Sequence, residues 1–289
     1  MAPGPFFQHG IFARVARCLA LLALPALLIA DQAVAADPWP HEVQAIYKVR
    51  FNGFDVGTFE FNSTVQAHTY TLTGNAQLSA LLGALSWKGE TRTAGTLAAN
   101  APRPAGYTFD FNGIGKSGSI KMSFAGENVA NVSHAPPLPP QSDTVPVRDT
   151  HLKGVLDPLS AVMALARTAS IGADPCQRRL SIFDGRQRFD LVLSFAREER
   201  VVEAKPSGQP NMALVCRVQY VPVAGHKMND ETQHMATTSG IEIALRPVPS
   251  ASLFIPHQIT VPTIAGSATL TSHWVQITTQ RNGQIALVY

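Results

Sequence analysis

The residues best suited to chemistry in this 289-residue chain are a pair of cysteines, a cluster of arginines, and a group of histidines and carboxylates. Of three cysteines, Cys18 lies in an apolar N-terminal run, which leaves Cys176 and Cys216 in the body of the chain. In an oxidising compartment an isolated pair most simply forms one disulfide; two reduced, buried thiols are the other reading. Closing a loop of roughly forty residues would stabilise the fold by about 4 kcal/mol in the chain-entropy model. Neither C-x-x-C spacing nor a nearby histidine points to redox or zinc chemistry.

His226, Asp230, Glu231 and His234 fall within nine residues and could ligate a metal. Their spacing matches no zinc motif, so a solvated polar loop is the simpler reading and no metal is expected. Ser160, Ser170 and Ser181 stand in no G-x-S-x-G elbow, and H-E-x-x-H is absent. "GIGKSGS" at 113–119 fails as a phosphate loop, because Asp110 stands where the first glycine is required. No cofactor is expected. Arg178, Arg179, Arg186 and Arg188 surround "LSIFDGRQRFDLVLSF" and could offer an anion a patch; a solvated strand face is the alternative.

These residues must be positioned by an exported chain. Arg14 and Arg17 precede the apolar run "CLALLALPALLIA", and "AVA" at 33–35 supplies small residues for cleavage before Ala36. Residues 1–35 therefore read as a cleaved signal peptide of a Gram-negative bacterium, and the mature protein as periplasmic. The run is short for a membrane span, and no later segment is apolar and long enough to be one. Removing Arg14, Arg17 and Asp31 takes the formal charge from +3 to about +2, which leaves no footprint for nucleic acid.

Residues 36–289 read as one mainly-β domain. Alternation of period two starts in "AIYKVRFNGFDVGTFEF", where Asn52-Gly53 marks a hairpin turn, and recurs in short strands separated by Gly and Asn. In "LSIFDGRQRFDLVLSF", Asp184-Gly185 marks another turn, with Phe189, Leu191, Leu193 and Phe195 sharing one parity. A proline-rich connector spans 134–151. One helix is expected at about 157–170, with Asp157 as N-cap, Pro158 in the first turn and an apolar stripe of Leu159, Val162, Met163 and Ala166. "GHKMNDETQHMATTSG" reads as an exposed loop or short helical turn.

"YKVRFNGFDVGTFEF", "LDPLSAVMALAR", "IFDGRQRFDLVLSF", "CRVQYVPVAGH" and "PHQITVPTIAGSATL", in that order, resemble a domain-of-unknown-function family of exported proteobacterial proteins. The resemblance spans Tyr47 to Leu270. It implies a wound antiparallel sheet, a β-spiral or open barrel, with the helix packed inside. It also implies envelope maintenance through a hydrophobic or cell-wall-associated partner, and it carries no catalytic residues. The paired cysteines fit similar envelope proteins.

An open sheet needs its inward apolar face filled, by its own helix or by a ligand. Phe51, Phe59, Phe61, Trp87, Phe109, Phe111, Phe124 and Trp274 are the candidates to line such a cavity; the alternative is that they form the core with Leu159, Val162 and Met163. An outer-membrane barrel is disfavoured by the short strands, the connector and the helix. The expectation is a non-enzymatic periplasmic protein supporting envelope integrity by binding an envelope protein, peptidoglycan-associated or lipidic partner. A carrier of a lipid or other hydrophobic ligand is the alternative, and a hydrolase the third.

Overall fold

A computed structural model describes residues 38–289 apart from 81–84, 99–100, 114, 140–141 and 168–173. The expected signal peptide, the end of the expected helix and Ser170 lie outside the described residues. Fourteen strands dominate. The first seven are β1 (Glu42–Phe51), β2 (Phe54–Gln66), β3 (Thr69–Ala80), β4 (Leu85–Ala98), β5 (Ala101–Gly113), β6 (Lys116–Ala125) and β7 (Asn128–Ala135). After helix α1 (Pro158–Leu165) come β8 (Arg178–Phe183), β9 (Arg188–Arg200) and β10 (Met212–Ala224). Helix α2 (Asp230–Thr237) precedes β11 (Glu242–Val248), β12 (Leu253–Thr263), β13 (Gly266–Thr279) and β14 (Gly283–Val288).

All pair in one antiparallel sheet of order β7-β6-β5-β4-β3-β2-β1-β13-β12-β11-β10-β9-β8, with β14 on β13. Each half is a meander of neighbouring hairpins, and the β1–β13 ladder joins the halves. One edge of β13 is divided, residues 266–271 pairing β12 and 274–279 pairing β14. The sheet is wound and not closed by strand pairing. Residues 153–156 span the seam between its ends, through bridges Asn128–Lys153 and Leu156–Ile182. The connector before them is anchored at Thr144–Lys227, and Val145 N donates to His226 O at 3.0 Å.

The local signals act as their chemistry requires. Asn52 and Gly53 take positive φ (49° and 84°) in a two-residue turn, which suits the right-handed strand twist. Asp184 accepts from the backbone N–H of Arg186 and Gln187, holding the four-residue turn between β8 and β9. Asp157 caps α1 by accepting from Leu159 N and Ser160 N, both at 3.0 Å.

Three expectations need correction. Helix α1 ends at Leu165 because its last carbonyls are claimed from outside: Arg178 donates to Ala164 O and Arg167 O, and Phe254 N donates to Ala166 O. The stretch after His226 holds a second helix, α2, capped by Asn229. Trp274 faces outward: Tyr47 pairs Ser272 whereas Ile46 pairs Trp274, so the extra residue His273 flips the parity. Val275 and Ile277 face in instead and are fully buried.

The exterior is charged in rows. Glu60, Glu90 and Asp110 share one cross-strand row through Asn75, and Arg92 and Lys121 lie on the next. These side chains are exposed on the outer face, where contact with hydrocarbon would be costly. No helix among the described residues is long and apolar enough to cross a membrane.

Candidate functional site: an apolar chamber beside a helix

Helix α1 lies inside the wound sheet and divides its interior. At the helix level one inward row runs Val43, Ser63, Leu72, Thr93, Tyr107, Met122, and every member is buried. Below it, Trp39, Val65, Tyr70, Val248 and Leu253 continue the packing. Two rows higher, toward the β1–β2 turn, the inward residues are Tyr47, Phe59, Ala76, Gly89, Phe111 and Gly118. Here Phe59, Ala76 and Phe111 are only half-buried.

The rings in this upper region lie over neighbouring glycines. A methyl group on Gly89 would sit 2.4 Å from the Trp87 ring, and one on Gly74 would sit 3.0 Å from Phe59. Gly118 stands in the same relation to Phe111, at 2.7 Å. Of these rings laid down on the sheet, Phe59 lines a cavity.

The cavity, of about 100 Å³, lies between α1, β1, β2 and β11–β13 and runs alongside the helix from Trp39 and Val43 to Tyr47 and Phe59. Tyr47, Phe59, Phe61, Met163, Ile255 and Leu270 contribute to its wall, and none of its described lining residues is charged. Its size is comparable to that of dry cavities of about 150 Å³ that bind benzene. It would take a short apolar segment of a ligand. Burial pushes the Tyr47 phenol above its ordinary range, which keeps it neutral.

Phe59 and Phe61 thus line the cavity. Trp87, Phe109 and Phe111 form a separate aromatic row on β4 and β5, with centroids 6.3 and 5.6 Å apart. Phe51 ends β1 at its turn, and Phe124 packs on a third cluster with Tyr107, Met122 and Val129. The aliphatic wall from β11–β13 is signalled in the sequence only by the alternation of Leu253, Ile255 and Ile259.

The disulfide forms, with Cys176 and Cys216 sulfurs 2.00 Å apart across 40 residues. Both are wholly buried among Leu180, Leu193, Val218 and Ile243. The four arginines are divided between the faces. Arg178 turns inward onto the α1 carbonyls, while Arg179 and Arg188 flank the buried Asp190 at 2.9 and 2.6 Å. Arg186 belongs to the turn. His226 follows β10 and His234 sits on α2; among the described residues no group of three or more His, Cys, Asp or Glu could hold a metal.

Two buried polar networks carried no local sequence signal. At the α1 N-terminus, Thr93 Oγ1 donates to Asp157 Oδ1 at 2.7 Å, and the Tyr70 and Ser160 hydroxyls bond at 2.8 Å. Burial pushes the Asp157 carboxyl above its usual range, against the hydrogen bonds from Ser160, Thr93 and Leu159. Its Oδ2 is buried without a partner. Ser160 is wholly enclosed and Ser181 donates to Asp190, so each hydroxyl is committed within the protein. On the outer face, Arg246 is fully buried against Glu203 at 2.9 Å and donates to Tyr289 and Pro210. Burial, with Arg246 nearby, holds the adjacent His257 below the ordinary imidazole range.

Fold and site together define a class: an unclosed antiparallel sheet wound round one helix, with an apolar chamber beside it. The chain belongs to the family described as "Protein of unknown function (DUF3108)", whose model matches residues 46–268. It is also similar to a solved β-barrel-like protein of domain of unknown function DUF1849 from Brucella abortus. The two share 13% identity at a TM-score of 0.45, over 83% of this chain and 98% of that one. No curated protein matches the chain.

Proposed function

We propose that this is a non-enzymatic, exported binding protein of the cell envelope that holds an acyl chain or similar apolar segment beside α1. The observation that supports the reading is the uncharged cavity, bordered by inward aromatic side chains that remain half-buried. An apolar surface of this kind, left in water, is a liability unless something covers it. Its modest volume suits part of an amphiphile, with the polar head left in water. Export rests on the N-terminal sequence, and the envelope role on the source of such a ligand.

The test is native mass spectrometry and lipid extraction of protein purified from its own compartment, followed by titration with a fluorescent fatty-acid analogue. Acyl-bearing molecules that co-purify and displace the analogue are expected. Protein that is ligand-free and does not capture the analogue would overturn the proposal.

A further inference from the structure

Two hairpin tips stand side by side at the upper end of the sheet. Asn52 N donates to Ser267 O at 2.9 Å, and Ser267 N donates to Asn52 Oδ1 at 2.8 Å. The β1–β2 and β12–β13 turns are thereby fixed to one another. Each presents a large apolar side chain to water: Phe54 is 76% exposed and Ile264 60%. Single exposed apolar residues are ordinary, but two on adjoining, hydrogen-bonded tips make a projecting contact surface.

Three further observations say what that surface meets. The tips lie at the end where the inward rows are half-buried, opposite the end packed by Trp39, Val65 and Tyr70. Behind them the outward row runs Lys48, Thr58, Gln77, Lys88, and Lys116 stands beside the β5–β6 turn. Lys48 lies about 13 Å along the strand from the tip, from four residues at about 3.3 Å each. The lysine row stands between the tips and the Glu60–Glu90–Asp110 row, about 7 Å nearer to them from two residues at about 3.3 Å each. Asp55, the carboxylate nearest the tip in sequence, is paired with Arg50 at 2.6 Å. Asp230 and Glu231 of this end are on α2, beside β10 and β12, which biases contact toward the β1–β6 wall.

We infer that this end docks on an anionic lipid bilayer. Phe54 and Ile264 enter the headgroup layer, and Lys48, Lys88 and Lys116 face the lipid phosphates. This rests on the proposed function only in making the bilayer the source of the ligand; the docking surface stands on its own residues.

Flotation of the purified protein with vesicles of phosphatidylglycerol and phosphatidylcholine, against phosphatidylcholine alone, tests it. Wild type should float with the anionic vesicles. The double variant Phe54→Ser, Ile264→Ser should bind about a hundredfold more weakly, about tenfold per side chain withdrawn from the interface. Lys48→Glu with Lys88→Glu should lose about tenfold on anionic vesicles alone. Thermal melting should be unchanged in both; should the tip variant melt early, the lysine variant carries the test. Wild type that leaves both vesicles bare, as it would if the tips met a protein instead, overturns the inference, as does a tip variant that floats like wild type. Failed flotation with fatty-acid capture intact removes the docking surface and leaves the chamber; the converse removes the chamber alone.

Discussion

The row through Leu72 and the row through Phe111 occupy the same inward face of the same strands, four residues apart. The lower row alternates medium-sized side chains, Val43, Leu72, Tyr107 and Met122, with two small hydroxyl residues, and α1 rests on it. The upper row sets rings beside glycine or alanine, so Phe59 and Phe111 lie over Gly74 and Gly118, and Tyr47 and Phe59 line the cavity at its β1–β2 end. The contrast shows how one sheet can be both floor and container: the size alternation along a row decides whether its side chains meet across the interior. The charged outer face is common to both rows and plays no part in the difference.

The largest effect should come from the wall next to the floor. Replacing Cys176 and Cys216 by serine should cost about 4 kcal/mol in a denaturant titration, for a closed loop of this length. A loss under about 1 kcal/mol would mean that the floor and its neighbouring strands are held without the crosslink. Next, Leu72→Ala should cost about 3 kcal/mol, as for a wholly buried leucine, and Phe111→Ala about 1 kcal/mol, because that ring is half in water already. Equal losses would erase the distinction between the rows.

Below the Leu72 loss in stability, Gly74→Val should shift it by about 1–2 kcal/mol while lifting Phe59 off the sheet and into the cavity. Fatty-acid capture should fall about tenfold, equivalent to about 1.4 kcal/mol. Capture at the wild-type level would show that the ligand does not use this space. The smallest effect is on pH dependence. The raised Asp157 carboxyl makes the folded state bind more protons than the unfolded one. Its contribution is therefore full below the ordinary aspartate range and declines as pH rises through the folded value. Asp157→Asn keeps an acceptor for Thr93 and the helix N-terminus and removes the charge, so urea midpoints across that range should decline less. An unaltered slope would show that Asp157 stays ionised in the floor.

Much of the fold was legible because its signals are local. Asn52-Gly53, Asp184-Gly185 and Asp157-Pro158 each specify their own turn or cap within four residues. Other features depend on distant partners. The β1–β13 ladder joins residues more than two hundred positions apart, and no local pattern names its partner. Trp274 lies on the face opposite to the one that alternation predicts, because one bulged residue leaves no mark in an alternating string. Phe195 keeps the expected parity yet is 50% exposed, since β8 pairs β9 only as far as Leu193. Helix α2 lacks an apolar stripe, so only Asn229 and the acidic first turn announced it. In the site, aliphatic residues share the wall with the aromatics, and the inward turn of Arg178 depends on the end of α1, a partner fourteen residues away that no local pattern names.

The β1–β13 ladder has a consequence for how the chain assembles. Every other strand pairing in the main path is between neighbours in sequence, whose loops close on the microsecond scale. The N-terminal meander can therefore form while the rest of the chain is still emerging, with β1 left as an open edge. That edge is covered only when β13 arrives, so the interval between them is when a partly made chain is most exposed to pairing with another copy.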